Sequence, residues 1–330
     1  MYDVARVRAR VEAAPYREAL NVAWRTRGVE GLFSHFVASS AYAEAVVQTE
    51  GKRLNTDDRT LIEFGFARTV GHAQLLQLEQ IGAAARRRGQ HLPAVAGGRI
   101  DTERLDVLRL WVKPDRTAKL QAAQLSATQR PWQAPIRLFS TRRYQEALAS
   151  WPDPETQART VDEIRLVAFG RAEAGDGRAQ VDIERLRQLA PIDAGIAEAL
   201  LLYRQGYTGL AVRALAAAFR QYRTVPWADE MIVTRATFLA SQIAGAPDYQ
   251  AASILFEATE EPFAVHVLED GRRQLRLSLA KILGHDASLR VLLDLEPHPP
   301  WNRSMLRRRV EVYAATRHEN LSRAERDLER

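Results

Sequence analysis

Apolar residues recur every three or four positions along most of the chain, the spacing that gathers them on one face of an α-helix. Val4, Val7 and Val11 predict a first helix. Pro15 suits the opening turn of a second, whose buried side would use Leu20, Ala23 and Trp24 before Gly28 breaks it. Leu32, Phe33, Phe36 and Val37 make a short aromatic-rich stripe. Ser39 or Ser40 then offers a capping hydroxyl to a helix that runs to about Glu50. The helical period fails in the next stretch, Gly51–Arg68. Asn55, Thr56, Asp57 and Asp58 carry side chains that compete for backbone hydrogen bonds, and Leu61, Ile62, Phe64 and Phe66 favour an extended strand. No neighbouring segment offers that strand a partner, so it is a local anomaly.

Helical spacing resumes at Val70 and continues through Leu75, Leu78, Ile81 and Ala85. It ends on Arg86-Arg87-Arg88 and Gly89, where cations complement the negative end of a helix dipole. His91 to Arg99, with Pro93 and the Gly97-Gly98 pair, reads as a flexible joint. Asp101 or Thr102 opens a helix with Leu105, Leu108 and Trp111 on one side. Another follows from about Arg116 to Gln129, and Pro131, Trp132 and Pro135 close the region.

Beyond residue 140 the pattern repeats itself. Pro154, Pro191, Pro226, Pro262 and Pro297 fall at nearly even intervals, with two apolar-periodic stretches between each pair. Tyr144, Tyr207 and Tyr249 open the second stretch of three such pairs. Ala147, Ala211 and Ala252 follow, and a large side chain lies four positions after each: Trp151, Leu215 and Phe256. Ala199 and Ala240 stand opposite two of these alanines, on the preceding stretches. Small residues facing a bulky one let antiparallel helices approach closely. One such pair is too small to bury an adequate core alone, so it must use its neighbours. These offsets resemble the tetratricopeptide repeat, a helix–turn–helix unit of about 34 residues. Pro135 departs from that pattern by occupying a small-residue position.

Composition changes this picture little. The 330 residues are 27% charged and 46% hydrophobic, normal for a folded chain. Absent cysteine removes disulfides and thiolate metal sites and suits a reducing, cytoplasmic compartment. No apolar run approaches the roughly 20 residues of a membrane span, and Met1-Tyr2-Asp3-Val4 does not open a secretory signal. The net charge of +6 rests on arginine, because lysine occurs only at positions 52, 113, 119 and 281. With 41 acidic residues interspersed, those arginines read as solvated helix faces. A polyanion groove along Arg142-Arg143, Arg272-Arg273 and Arg307-Arg308-Arg309 is the competing reading.

Chemistry is sparse. Gly175-Asp176-Gly177 lacks a third glycine and a preceding strand, and reads as a turn rather than a phosphate cradle. No two of the seven histidines stand four apart in the manner of a helical zinc site. Asp57-Asp58 is the one carboxylate pair suited to a cationic amine or a metal, with a hydrogen-bonded turn as the plainer role.

Asn55 to Phe64, with its Thr-Asp-Asp-Arg loop leading into a strand bearing Glu63, resembles the end of the catalytic domain in bacterial spermidine synthase-like proteins. The large fused forms, which continue into helical repeats, are the nearest in pattern. Pro262-Phe263-Ala264-Val265 and Leu295 to Trp301 resemble the repeat tail of such fusions. The resemblance implies aminopropyl transfer from decarboxylated S-adenosylmethionine on a Rossmann-like domain. That domain's nucleotide loop and amine-binding acids would precede Met1, and they do not occur in this chain. The orphan strand would then belong to a sheet outside it.

The expected architecture is all-α: a helical block over 1–68 containing one strand-like segment, a helical connection over 69–139, and tetratricopeptide-like hairpins over 140–330. The expected role is a non-catalytic scaffold or docking module for a protein partner such as a spermidine synthase-like enzyme, with no catalytic residue, cofactor or metal of its own. Ile164, Arg171, Glu198, Tyr203 and Arg235 lie on first helices that would line the binding face. The alternatives are a piece of an aminopropyltransferase and a basic solenoid that binds nucleic acid.

Overall fold

The computed structural model describes residues 1–50, 78–112, 125–152, 158–245, 248–296 and 298–330. Among these there are eighteen α-helices and almost no strand, so the fold is all-α. None of the helices among the described residues is long and apolar enough to cross a membrane. The strand-like stretch Leu61–Phe66, the pair Asp57-Asp58, and Pro154 and Pro297 lie outside the described residues. The chain divides into two compact units, Met1–Trp132 and Gln133–Arg330.

The first unit carries α1 (Val4–Val11), α2 (Tyr16–Ala23), α3 (Gly28–Ser34), α4 (Ser40–Glu50), α5 (Leu78–Arg87) and α6 (Thr102–Trp111). Asp3 caps α1 by accepting from the Arg6 N–H at 3.0 Å, and Asp101 caps α6 by accepting from the Arg104 N–H at 2.9 Å. Val4, Val29, Phe33 and Leu105 close the core where α1, α3 and α6 meet. The expected joint at Gly97-Gly98 is instead pinned. Tyr2–Asp3 (β1) pairs in parallel with Val95–Ala96 (β2), Tyr2 opposite Val95 and Asp3 opposite Ala96. Gly97 has φ +68°, and a Cβ there would come within 2.8 Å of Asp3 Oδ1.

Two further expectations change in this region. Trp24 is 44% exposed rather than buried, its ring resting on His35 with centroids 4.4 Å apart. Pro135, expected to close the region and also placed at a small-residue helix position, sits buried inside α7 (Arg130–Ser140) at the cost of one ladder hydrogen bond.

The second unit continues with α8 (Tyr144–Ala149), α9 (Val161–Glu173), α10 (Ala179–Arg187), α11 (Pro191–Arg204) and α12 (Thr208–Gln221). Then come α13 (Glu230–Gly245), α14 (Tyr249–Ala258), α15 (Glu269–Leu283), α16 (His285–Leu295), α17 (Arg303–Thr316) and α18 (Leu321–Glu329). They pack as consecutive pairs: α9 with α10, α11 with α12, α13 with α14, α15 with α16, α17 with α18. The first helices α9, α11, α13 and α15 also pack in succession, each on the next. The small-against-large positions are buried as the spacing requires: Ala147, Ala199, Ala211, Ala240 and Ala252 in the seams, with Trp151, Leu215 and Phe256 beside them. Gly170 serves the same end. A Cβ on it would lie 2.8 Å from Leu148 Cβ and 2.9 Å from the Tyr144 carbonyl oxygen, so α8 and α9 approach only because it has none.

Arginine departs most from expectation. Arg165, Arg235, Arg272, Arg276 and Arg309 are buried, not solvated. Arg272 forks onto Glu269, at 2.9 Å from Nε to Oε1 and 2.7 Å from Nη2 to Oε2, and donates from Nη1 to the Thr259 and Glu260 carbonyls just past α14. Arg276 donates to the Phe256 carbonyl at 3.2 Å and stacks over the Phe256 ring, 4.3 Å from its centroid. Guanidinium groups thus satisfy carbonyls that the helix end leaves unpaired. At the chain's end Glu296 receives Arg309 Nε at 2.9 Å and the Tyr313 hydroxyl at 2.5 Å. Arg309 also reaches Asp327 on α18 at 2.9 Å, tying three consecutive helical segments together.

Two outcomes follow. Gly170→Ala should lose about 1–3 kcal/mol in urea denaturation, because the added methyl must push α8 and α9 apart. The second outcome concerns acid. Burial would raise the Glu269 pKa, but Arg272 and the Phe263 N–H outweigh it and hold the group below the ordinary carboxylate range. The folded state therefore binds fewer protons than the unfolded one. Glu269 contributes its full stability above about pH 4.5, and that contribution fades as pH falls through its lowered folded pKa. Thermal melts from pH 6 to pH 3 should show a shallower acid limb in Glu269→Gln than in the parent chain.

Candidate functional site

A run of paired charges in the second unit crosses its first helices. Thr160 and Glu163 form a reciprocal capping box that fixes the start of α9, and Glu163 also accepts from the Arg159 N–H at 2.9 Å. One turn further on, Arg165 is 1% exposed. Its Nη1 donates to Asp162 at 2.6 Å and to Asp229, just before α13, at 3.1 Å. Its Nη2 donates to Asp193, on α11. One guanidinium thus links three successive pairs. Burial works against its charge, but Asp193, Asp162 and Asp229 prevail and hold its pKa above the ordinary value.

Glu173, at the far end of α9, makes the matching link. It pairs with Arg204 at the end of α11 and with Arg235 of α13, the latter at 2.6 Å. Arg204 lies 31 residues and Arg235 62 residues beyond Glu173, so the ladder has a repeat of its own. Arg235 stacks over the Tyr144 ring at 5.9 Å and over the Phe238 ring at 5.7 Å. Phe238 is 51% exposed, which places an aromatic surface beside a charged one.

Tyr144 is buried between Phe139 and Phe169, with ring centroids 5.5 and 5.3 Å away. Burial pushes its hydroxyl pKa up to about 12, so it stays neutral and is no nucleophile at ordinary pH. Its hydroxyl, Arg165 Nε and Arg235 Nε are buried without a hydrogen-bond partner. Such donors cost about 1–3 kcal/mol each. The chemistry these groups offer is hydrogen-bond donation and charge pairing. Among the described residues no cluster of histidine and carboxylate groups is arranged to hold a metal.

The residues singled out from sequence fall in different settings. Ile164 is buried in the helix seam, and Arg235 is buried against Glu173. Arg171 is half-exposed and pairs with Asp182 of α10 at 2.5 Å, while Glu198 is half-buried and pairs with Arg187 at 2.8 Å. Tyr203 is half-buried beside Arg204. Asp57 and Asp58 lie outside the described residues. Tyr144 was read only as the opening of a repeat helix, and Arg165, Glu173, Asp193 and Arg204 were not singled out.

Removing Arg165 leaves three carboxylates facing one another in the interior. Arg165→Met should cost about 3–5 kcal/mol in equilibrium unfolding. Asp229→Asn should cost distinctly less, since two carboxylates still hold the guanidinium. Equal losses in the two variants would refute a shared role for the three acids.

No protein-family model matches this chain, no curated protein matches it, and no solved structure matches it.

Proposed function

We propose that the second unit is a tetratricopeptide-like array of helical hairpins that acts as a non-catalytic scaffold and docks a protein partner. The observation that carries the reading is the ladder joining α9, α11 and α13 through Arg165 and Glu173. It holds successive first helices in a fixed relation, as a preformed binding face requires. Phe238, exposed and backed by Arg235, gives that face an aromatic anchor of the kind that dominates interfaces. The partner suggested by the Thr56-Asp57-Asp58-Arg59 resemblance is a spermidine synthase-like catalytic domain. A nucleic-acid role is disfavoured, because Arg165, Arg235, Arg272 and Arg309 are engaged by carboxylates of the same chain.

Coexpression with a tagged spermidine synthase-like domain, followed by affinity capture, tests the reading. The two chains should copurify. Phe238→Ala should weaken capture by about tenfold or more while changing stability by no more than about 0.5 kcal/mol. Val181→Ser, at an exposed position on α10, should leave capture unchanged. Absence of copurification, or equal capture by the Phe238 variant, would remove this assignment.

A further inference from the structure

The first unit contains a cavity of about 520 Å³ between α1, α2 and α3, within the range of small-molecule sites. Val7, Val11, Leu20 and Leu32 make an apolar floor, and Tyr16 and Trp24 stand as aromatic walls, each nearly half exposed. Arg6 and Arg10 sit at the edge, one turn apart on α1. The helix Val4–Val11 carries three arginines and no acid, and like charges four apart oppose each other. Arg8 is neutralised by Glu30 at 3.3 Å. Among the described residues, neither Arg6 nor Arg10 has a carboxylate within ion-pair distance. Arg10 donates instead to the Tyr16 hydroxyl at 3.0 Å and lies over the Tyr16 ring at 5.1 Å. That hydroxyl accepts from Arg10 and keeps its own proton to donate.

An apolar trough, two aromatic walls and a cationic edge with a spare hydroxyl donor describe one kind of occupant. We infer that this cavity binds a small amphipathic carboxylic acid. Its hydrocarbon body would lie against Val7, Val11, Leu20 and Leu32, and its carboxylate would meet Arg6, Arg10 and the Tyr16 hydroxyl. The volume suits an acyl chain of moderate length, and burying its methylenes supplies the affinity. The arginines supply the choice of head group. They discriminate against a cation of the same length, which would face two like charges.

The experiment is calorimetric titration of the full chain with sodium decanoate below its micelle concentration, beside decanol and decyltrimethylammonium. Decanoate should bind saturably at one site per chain, decanol more weakly, and the cation not at all. Arg6→Gln combined with Arg10→Gln should weaken decanoate at least tenfold while leaving decanol unchanged. Arg10→Lys, which keeps the charge, should retain most of the binding. Circular dichroism confirms that each variant is folded, and Leu20→Ala should weaken decanoate and decanol alike. Three results would each overturn the proposal. They are no saturable decanoate binding by folded protein, equal binding of decanoate and decyltrimethylammonium, and a dimer in sedimentation that Trp24→Asp dissociates.

Discussion

A single guanidinium organises the beginning of the second unit. Arg165 cannot remain charged in the interior without compensation, and its compensation comes from three places in the chain: its own helix, α11 and the entrance to α13. Each aspartate is in turn anchored on a different helical pair. Desolvating one arginine therefore fixes the relation of three pairs at once. Glu173 repeats the device at the other end of α9, with the signs reversed. Between the two links lie Leu166, Ala168, Phe169 and Ala172, all buried. The apolar seam drives association, and the charge at either end sets its register.

The same logic recurs toward the end of the chain. Arg272 joins Glu269 to carbonyls past α14, and Arg309 joins Glu296 to Asp327. Five buried arginines thus serve as an internal structural resource. Arginine suits this use because its planar fork serves several acceptors at once and stays charged in the interior. Lysine, with one compact charged head, does not offer that geometry, which accords with its scarcity here.

Much of the helical plan was legible. Ala199 opposite Ala211, and Ala240 opposite Ala252, announced close helix contacts because side-chain size at fixed spacing is a local property. The cap at Asp101 rests on equally local chemistry. The ladder was hidden for the opposite reason. Arg165 and Asp193 are 28 residues apart, and a charged residue on a helix ordinarily reads as solvent-facing. Trp24 misled in the other direction: its helical spacing pointed inward, yet it stands beside a cavity and rests on His35. The parallel pairing of Tyr2–Asp3 with Val95–Ala96 escaped notice because two-residue strands carry no periodicity to detect.

The central claim is that neighbouring pairs of the second unit support one another through buried charge and cannot be loosened singly. Native-state hydrogen exchange on the parent chain and on Arg165→Met addresses it directly. The account predicts that amide protection falls together over 161–173, 191–204 and 230–245, although the substitution touches only the first of these helices. Loss confined to 161–173, with the other two helices as protected as before, would contradict it.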